Sequence, residues 1–209
     1  IVVVPAMHEP MYDHPGVLEA IERLESWGVA FVDPRIEEGK AKIATEETIV
    51  TETARATTED SLAGERVIVT GGATTESIDP IRTLSNRASG KTGLEVARAC
   101  RVRGAEVDLV HDGPDLSWAT VERIESAAEM LAAVREHAGE ADALVSAAAI
   151  SDYTIETAPE KIRSGQEGLT LELEPTPKLI DTVRDDHPDL PIVGFKAESE
   201  EGEENIVEQ

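Results

Sequence analysis

The stretch Val67–Gly93, VIVTGGATTESIDPIRTLSNRASGKTG, constrains the fold of this chain more than any other. Its apolar start, Val67–Thr70, predicts a buried strand, and a long loop rich in Gly, Thr and Ser leads to a helix predicted from Ser89. A strand, a small-residue loop and a helix N-terminus together present backbone N–H groups to a ligand. The stretch therefore predicts an anion site.

Strand and helix patterns alternate along the rest of the chain. Residues 56–64, ATTEDSLAG, have no apolar period and predict a linker. The alternation predicts an α/β fold, a three-layer Rossmann-like parallel sheet with helices on both faces. The predicted strands are 1–4 (buried), 29–32, 66–70, 106–110, 121–125, 141–147, 169–173 (an edge or hairpin strand) and 191–195; the predicted helices are 15–27, one from Thr45, 89–103, 126–137 (with a capping box at Ser126), 178–186 and 203–209.

Three loops, after Thr70, Ala147 and Phe195, leave predicted strands at their carboxyl ends, where such folds bind ligands. The first loop carries Arg82 and Asn86, whose guanidinium and amide groups can hold a carboxylate or a phosphate. Taken alone, Asn86 also fits a simple turn, which sequence logic slightly favours. These loops are the predicted site.

The second loop, SAAAISDYTIETAPEKIRSG, combines small residues with charge. Residues 146–149 are small enough for a planar ring to approach the backbone, and Asp152 and Lys161 follow them. An acid and a lysine suit a metal-bound triphosphate, because lysine can neutralise charge on a leaving group. As isolated residues, both also fit solvated loop charges.

Two familiar glycine motifs are only partly present. Gly71–Gly72 invites a dinucleotide interpretation, but TGGATTES lacks the later glycines, and Glu76 occupies a position that requires a small residue. SGKT resembles the end of a phosphate-binding loop, but Ser85 stands where that motif needs glycine. Neither motif has the required spacing.

The formal net charge of −24 argues against a nucleic-acid partner, which would need a basic surface. Only six of the 19 basic residues are Lys, and this composition suits a protein that works in concentrated salt, where screening reduces self-repulsion. The single cysteine, Cys100, predicts a buried structural thiol and a reducing, cytoplasmic location. No apolar run is long enough to span a bilayer, which predicts a soluble protein.

Four segments together resemble a known family: TGGATTESIDPIRTLSNRASGKTG, SAAAISDYTIETAPEKI, PTPKLI and VGFKAES. They are similar, in this order and over about residues 65–205, to the phosphopantothenoylcysteine synthetase domain of the bifunctional coenzyme A biosynthesis flavoprotein. The composition would suit an archaeal, halophilic member. PAMHEPMY and EEGKAKIA resemble parts of the companion decarboxylase domain.

The resemblance implies a two-step ligation. CTP converts the carboxylate of 4′-phosphopantothenate into an acyl-cytidylate with loss of pyrophosphate, and cysteine then displaces CMP to form an amide. It implies Mg²⁺ with the triphosphate, and a homodimer or higher oligomer whose active site is completed near the subunit interface.

The resemblance also implies residue roles. The catalytic residues would be Arg82, Asn86, which holds the acyl-cytidylate, and Lys161, which is needed for activation and contacts the nucleotide. Which residues would hold the metal stays open. The other nucleotide-contacting positions would be Ala148, Asp152, Pro177, Lys178, Leu179, Ile180 and Phe195.

Some positions depart from the family pattern. Ala88 replaces a serine, and the chain ends at Gln209, before the family's further lysines and dimer-forming segment. In the decarboxylase part, His8 and Tyr12 replace Asn and Trp, and residues 33–44 contain no cysteine. We therefore expect neither decarboxylase activity nor bound FMN in this chain; FMN would belong to the decarboxylase domain of a full-length parent.

The expected domains are a C-terminal remnant of the decarboxylase domain (1–55), the linker (56–64) and a synthetase domain that is incomplete at its C-terminus (65–209). The chain starts without Met, inside an apparent strand, which predicts a fragment. Two alternatives stay open: a nicotinamide-dependent reductase on the same fold class, and an inactive fragment that binds nucleotide.

Overall fold

A computed structural model describes residues 1–165 and 167–196. These residues form two compact units. The first comprises residues 1–65, 97–107 and 115–120, and the second comprises 66–96, 108–114 and the described residues from 121 onward. No helix among the residues described is long and apolar enough to cross a membrane.

The first unit contains two small sheets. Strands β1 and β3 pair in parallel, and β2, β5 and β4 form an antiparallel sheet. Thr45 caps α3 by accepting a hydrogen bond from the Thr48 backbone N–H at 3.1 Å, as the predicted helix start requires. The elements are β1 (Val2–Val3), β2 (Met7–His8), α1 (Glu9–Tyr12), α2 (Pro15–Glu25), β3 (Ala30–Phe31), β4 (Arg35–Glu37), β5 (Lys40–Lys42) and α3 (Glu46–Arg55).

A five-stranded parallel sheet flanked by helices confirms the predicted fold class. Its strand order is β10-β9-β6-β11-β14, which is the order 3-2-1-4-5 of doubly wound folds. The elements are β6 (Arg66–Thr70), β7 (Thr75–Ser77), β8 (Thr83–Ser85), α4 (Lys91–Val102), β9 (Glu106–His111), β10 (Thr120–Arg123), α5 (Ala127–Ala138), β11 (Ala143–Ser146), β12 (Tyr153–Thr154), β13 (Glu174–Pro175), α6 (Leu179–Asp186) and β14 (Ile192–Gly194).

The hydrophobic core of the second unit joins this sheet to two helices. Ile68 and Leu144 from the sheet are fully buried, and so are Met130 and Val134 of α5 and Val183 of α6. The 3.6-residue apolar period of each helix places these side chains on one face, where burial removes apolar surface from water.

The predicted capping box opens α5. Ser126 Oγ accepts from the Glu129 N–H at 3.2 Å, and Glu129 Oε2 accepts from the Ser126 N–H at 3.2 Å. Glu129 Oε2 also accepts from the Glu125 N–H at 2.7 Å. N–H groups that the helix itself cannot satisfy are therefore bonded.

Replacing Ser126 with Ala should lower the free energy of unfolding by about 1 kcal/mol, because one cap acceptor is lost. Urea unfolding followed by circular dichroism measures the change. Ser126→Asn keeps an acceptor and is the matched control, with an expected loss of only a few tenths of a kcal/mol. Equal losses in the two variants would contradict the capping role.

The predicted loop between Thr70 and Ser89 contains a hairpin that the sequence pattern does not predict. Strands β7 and β8 pair antiparallel, with Thr75 opposite Ser85 and Ser77 opposite Thr83. The turn between them is closed by Asp79, whose role depends on hydrogen bonds that no apolar period reveals. Helix α4 accordingly begins at Lys91, two residues later than predicted.

The prediction of a strand over 169–173 is wrong. These residues are not in a strand, and the partner of β12 is β13, Glu174–Pro175, in antiparallel pairing. Leu171 lines a surface recess of about 360 Å³ together with Ile78, Ile155 and Ile162, so its alternating apolar neighbours reflect packing on a surface rather than a sheet.

Other predicted bounds differ by a few residues. Helix α2 ends at Glu25 rather than Trp27, and β1 is half-buried rather than buried. Cys100 is half-buried, and its burial raises the pKa of the thiol. The predicted helix 203–209 lies outside the described residues.

Candidate functional site

Three neighbouring parallel strands bring the predicted site loops to one edge of the sheet. Ser146 at the end of β11 pairs with Thr70 of β6 on one side and with Gly194 of β14 on the other. The Phe195 N–H donates to the Ser146 carbonyl oxygen at 2.9 Å. The loops after Thr70, Ser146 and Gly194 thus begin next to one another, as the sequence predicts.

The loop after β11, which begins at Ala147, is hydrogen-bonded to the end of β6 and the loop that follows it. The Ala147 N–H donates to the Thr70 carbonyl oxygen at 3.2 Å, and the Ala149 N–H donates to the Gly72 carbonyl oxygen at 2.9 Å. The Ala148 N–H donates to Thr70 Oγ1 at 3.2 Å, and this hydroxyl is fully buried. These bonds hold the backbone of the predicted nucleotide-pocket segment against Thr70 and Gly72.

Asn86 joins these two loops through its side chain. Its Nδ2 donates to the Ala149 carbonyl oxygen at 3.2 Å, which also accepts from the Thr74 N–H at 3.2 Å. Ser85 Oγ donates to the Thr74 carbonyl oxygen at 2.9 Å and fixes the strand before Asn86. The amide is exposed, so its remaining hydrogen-bonding capacity faces solvent or a ligand.

The glycines on either side of the hairpin pack against each other. A Cβ atom at Gly93 would lie 2.6 Å from Gly71 Cα, and one at Gly90 would lie 3.3 Å from Gly72 Cα. The N-terminal turn of α4 can approach the end of β6 only because these positions lack side chains. The glycine turn of a Rossmann fold is thus present here, but the β7–β8 hairpin divides it, which explains why its sequence spacing looked wrong.

Asp79 is a buried carboxylate that closes the hairpin turn. Its side chain has no exposed surface. Oδ1 accepts from the backbone N–H groups of Ile81 and Arg82, each at 2.8 Å, in the manner of an Asx turn. Oδ2 accepts from the Arg82 guanidinium and from the Ile162 N–H at 3.1 Å. Burial raises the pKa of Asp79, but these donors outweigh it and lower the pKa from 3.8 to about 2.

Asp79 should therefore stabilise the fold above pH 4 and lose that contribution as pH falls from about 4 towards 2, because the folded pKa lies below the unfolded one. Unfolding free energies measured by urea between pH 5 and 2.5 test this. We expect the unfolding free energy of Asp79→Asn to depend less steeply on pH than that of the unchanged chain. The difference in slope should correspond to at most one bound proton per molecule. The exposed Asp185→Asn should keep the original slope; a matching slope in Asp79→Asn would refute the assignment.

Arg82 faces the loop that carries Lys161. Its Nη1 donates to the Ile162 carbonyl oxygen at 3.1 Å as well as to Asp79. The structure thus brings Arg82 next to the residue that follows Lys161, and Lys161 itself is exposed. These two bonds occupy Nη1 within the chain. A contact between Arg82 and the acyl group stays a prediction.

Asp152 and Lys178 form an ion pair on the surface. The Asp152 carboxylate accepts from Lys178 Nζ, and this hydrogen bond raises the pKa of Lys178. The Thr176 N–H donates to the Asp152 carbonyl oxygen at 3.0 Å, which brings the segment before α6 next to the loop after β11. Two predicted nucleotide-contacting residues therefore meet.

The remaining predicted nucleotide-contacting residues differ in how exposed they are. Leu179 is 4% exposed and lies in the hydrophobic core, so any contact with a nucleotide would come from its backbone. Pro177 is exposed, Phe195 is 53% exposed, and Ile180 is 38% exposed with its Cδ1 beside Gly194. Among the residues described, no group of three or more His, Cys, Asp and Glu side chains could hold a metal ion.

Glu76, which breaks the dinucleotide glycine motif, has a structural role that the sequence does not indicate. It is 5% exposed; Oε1 accepts from the Ala127 N–H at the start of α5 at 2.9 Å, and Oε2 accepts from Thr154 Oγ1 at 2.6 Å. A carboxylate at a helix N-terminus is stabilised by the helix dipole. Glu76 therefore fastens the hairpin to α5 and to β12, a role that sequence spacing alone does not reveal.

Two family models match this chain. Residues 62–209 match the DNA/pantothenate metabolism flavoprotein C-terminal domain, and residues 1–58 match the flavoprotein family.

The chain is also similar to archaeal proteins and to a solved structure. It is 47% identical to the coenzyme A biosynthesis bifunctional protein CoaBC of Thermococcus kodakarensis, over 99% of this chain and 52% of the relative. For the protein of the same name from Methanocaldococcus jannaschii the identity is 34%, over 99% and 52%. The chain thus spans about half the length of these curated relatives. A crystal structure of the C-terminal domain of a CoaBC protein superposes with a TM-score of 0.60 at 32% identity, covering 70% of this chain and 71% of that one.

The matched model covers most of the chain, and it includes the hairpin, the two bonded loops and β14. This chain belongs to the family of the DNA/pantothenate metabolism flavoprotein C-terminal domain.

Proposed function

We propose that this chain joins 4′-phosphopantothenate to cysteine, through an acyl-cytidylate, in coenzyme A biosynthesis. The observation that carries the proposal is the hydrogen bond from Asn86 Nδ2 to the Ala149 carbonyl oxygen, because it unites the two loops to which the family's motifs assign the acyl group and the nucleotide. The names of the relatives, coenzyme A biosynthesis bifunctional proteins, support the same pathway.

In the first step, a carboxylate oxygen of 4′-phosphopantothenate attacks the α-phosphorus of CTP, and pyrophosphate leaves. In the second, the amine of cysteine attacks the acyl carbon, CMP leaves, and the nitrogen loses a proton. A carboxylate is a poor electrophile, and the nucleotide supplies the leaving group. The protein then needs to position the reactants and stabilise charge, without a nucleophile of its own.

We assign Lys161 to the charge that develops on the departing pyrophosphate, and Asn86 to the acyl-cytidylate. Lys161 is exposed and directly precedes Ile162, which Asp79 and Arg82 hold by hydrogen bonds. Asn86 retains one N–H and its Oδ1 for a ligand once its bond to Ala149 is counted. Arg82 contributes by holding the same segment.

The nucleotide would lie over Ala148 and beside Asp152, Lys178 and Phe195, with Pro177, Ile180 and the backbone of Leu179 completing the surface. The exposed ring of Phe195 and the small residue at Ala148 suit a planar base. Mg²⁺ is carried chiefly by phosphate oxygens and water and needs only one or two protein carboxylates, and Asp152 is a suitable oxygen donor among the site residues. Mg²⁺ supplies charge neutralisation on the triphosphate when it is bound.

The domain assignment is part of the proposal. Residues 1–55 would be the end of a flavoprotein decarboxylase domain, 56–64 a linker and 65–209 the synthetase domain, and the two family matches support this division. FMN would belong to the decarboxylase domain of a longer parent, and no step of the ligation uses it. Assembly as a homodimer is proposed on the family resemblance alone.

The test is pyrophosphate release from the chain with 4′-phosphopantothenate and CTP or ATP, each with and without cysteine. We expect a stoichiometric release without cysteine, and turnover with CMP and an amide product when cysteine is added. Greater activity with ATP would revise the nucleotide. Absence of release with either nucleotide would overturn the ligase, and a melting temperature raised by NADPH but not by CTP would favour the reductase.

A further inference from the structure

The segment Thr157–Ile162, which carries Lys161 and is called here the lysine segment, is fastened to the β7–β8 hairpin at both of its ends. At the first end, Thr157 Oγ1 donates to the Ser77 carbonyl oxygen at 2.8 Å, and the Ala158 N–H donates to the Ile78 carbonyl oxygen at 2.9 Å. At the second end, Ile162 donates its N–H to Asp79 and accepts from Arg82 through its carbonyl oxygen. The segment itself forms no helix or strand, so these bonds define its path.

The bonds at the second end converge on one carboxylate. Asp79 has no exposed side-chain surface and accepts from four N–H groups: two in its own turn, one from the Arg82 guanidinium and one from Ile162. The Ile162 nitrogen is joined directly to the carbonyl carbon of Lys161. A displacement of this peptide therefore displaces the Lys161 Cα.

We propose that Asp79 is a positioning residue for the ligation: its buried carboxylate fixes the lysine segment to the hairpin and so sets where Lys161 stands. This inference rests on the proposed function for its catalytic part. Asp79 itself touches no substrate, and it acts through the Ile162 peptide and through Arg82.

The variant Asp79→Asn isolates this role. Asparagine keeps the shape of the side chain but has one acceptor oxygen and one NH₂ group. If the oxygen stays on the turn N–H groups of Ile81 and Arg82, the NH₂ group faces the Ile162 N–H and the Arg82 guanidinium, which are donors as well. The bond to the lysine segment is then lost while the turn can persist.

We expect Asp79→Asn to lower the rate of pyrophosphate release by about 10- to 100-fold, mainly in kcat, because a misplaced charge costs transition-state stabilisation. The double variant Asp79→Asn/Lys161→Gln should be no slower than Lys161→Gln alone, since Asp79 acts through Lys161. Multiplicative effects in the double variant would overturn the proposal. Asp185→Asn, with the same charge change on an exposed residue, should leave the rate unchanged.

A second measurement does not depend on activity. Trypsin cleaves after Lys161 and Arg163, which are both exposed. We expect faster cleavage there in Asp79→Asn, and a smaller acceleration in Thr157→Val, which loosens the first end. Unchanged cleavage in both variants would overturn the fastening even if the chain proves to be a ligase. If Asp79→Asn is cleaved faster but the unchanged chain has no ligase activity, the fastening is supported and the proposed function is refuted.

Discussion

Lys161→Gln will reduce pyrophosphate release with CTP and 4′-phosphopantothenate by at least about 100-fold, the scale observed when one group that stabilises developing charge is removed. Glutamine keeps a polar, hydrogen-bonding side chain, although a shorter one, and carries no charge to place on the departing pyrophosphate. Lys161 is exposed, so the fold should be unaffected. Pyrophosphate detection in a single turnover, without cysteine, measures the first step alone.

Arg163→Gln is the matched control for Lys161→Gln. It removes one positive charge from the same exposed loop, two residues away, and should change the rate less than about threefold because exposed charges are screened by salt. Normal pyrophosphate release in Lys161→Gln would refute the role of this residue. Equal losses in both variants would mean that loop charge, rather than a specific lysine, matters.

Asn86→Asp should lower amide formation by about 100-fold or more. The substitution removes the Nδ2 donor that bonds the Ala149 carbonyl oxygen at 3.2 Å and places a carboxylate oxygen against that carbonyl. It also adds a negative charge where the acyl-cytidylate is proposed to bind. Amide product formed from CTP, 4′-phosphopantothenate and cysteine, measured by chromatography, gives the rate.

Arg87→Gln tests whether charge alone explains that loss. It changes the net charge by the same amount at the neighbouring, exposed position and keeps Asn86. We expect a rate within a few-fold of the unchanged chain, since Arg87 has no assigned role in the site. A rate as low as that of Asn86→Asp would attribute the effect to electrostatics of the whole loop and remove Asn86 from the proposed mechanism.

The sheet was predictable because its information is local. Apolar runs such as Val67–Thr70 and Ala143–Ser146, separated by helix patterns, indicate parallel strands, and the carboxyl-end rule then places three loops together. The capping box at Ser126 was equally predictable from the sequence, since its two partners are three residues apart. Salt-dependent stability remains a prediction of the acidic composition.

The long-range contacts of the buried carboxylates were not predictable, because these partners are distant in sequence. Asp79 receives a hydrogen bond from Ile162, and Glu76 receives bonds from Ala127 and Thr154. The Asp-Pro dipeptide that begins DPIR was a usable turn signal for Asp79, and it should have predicted a hairpin. The strand prediction for 169–173 failed for the opposite reason. Its Leu residues do alternate, but the segment pairs with no other strand.

The divided glycine turn separates two kinds of constraint along the chain. Gly71 and Gly93 fix how the first strand and its helix meet, and Gly90 lies beside Gly72 from the other side of the insertion. The hairpin between them is thus an addition to a junction that is already complete. The glycines constrain how the strand and the helix meet, whereas the buried acids Glu76 and Asp79 constrain how the hairpin is held. Exposed hairpin positions such as Thr83 are therefore the ones that can vary without disturbing either set of contacts.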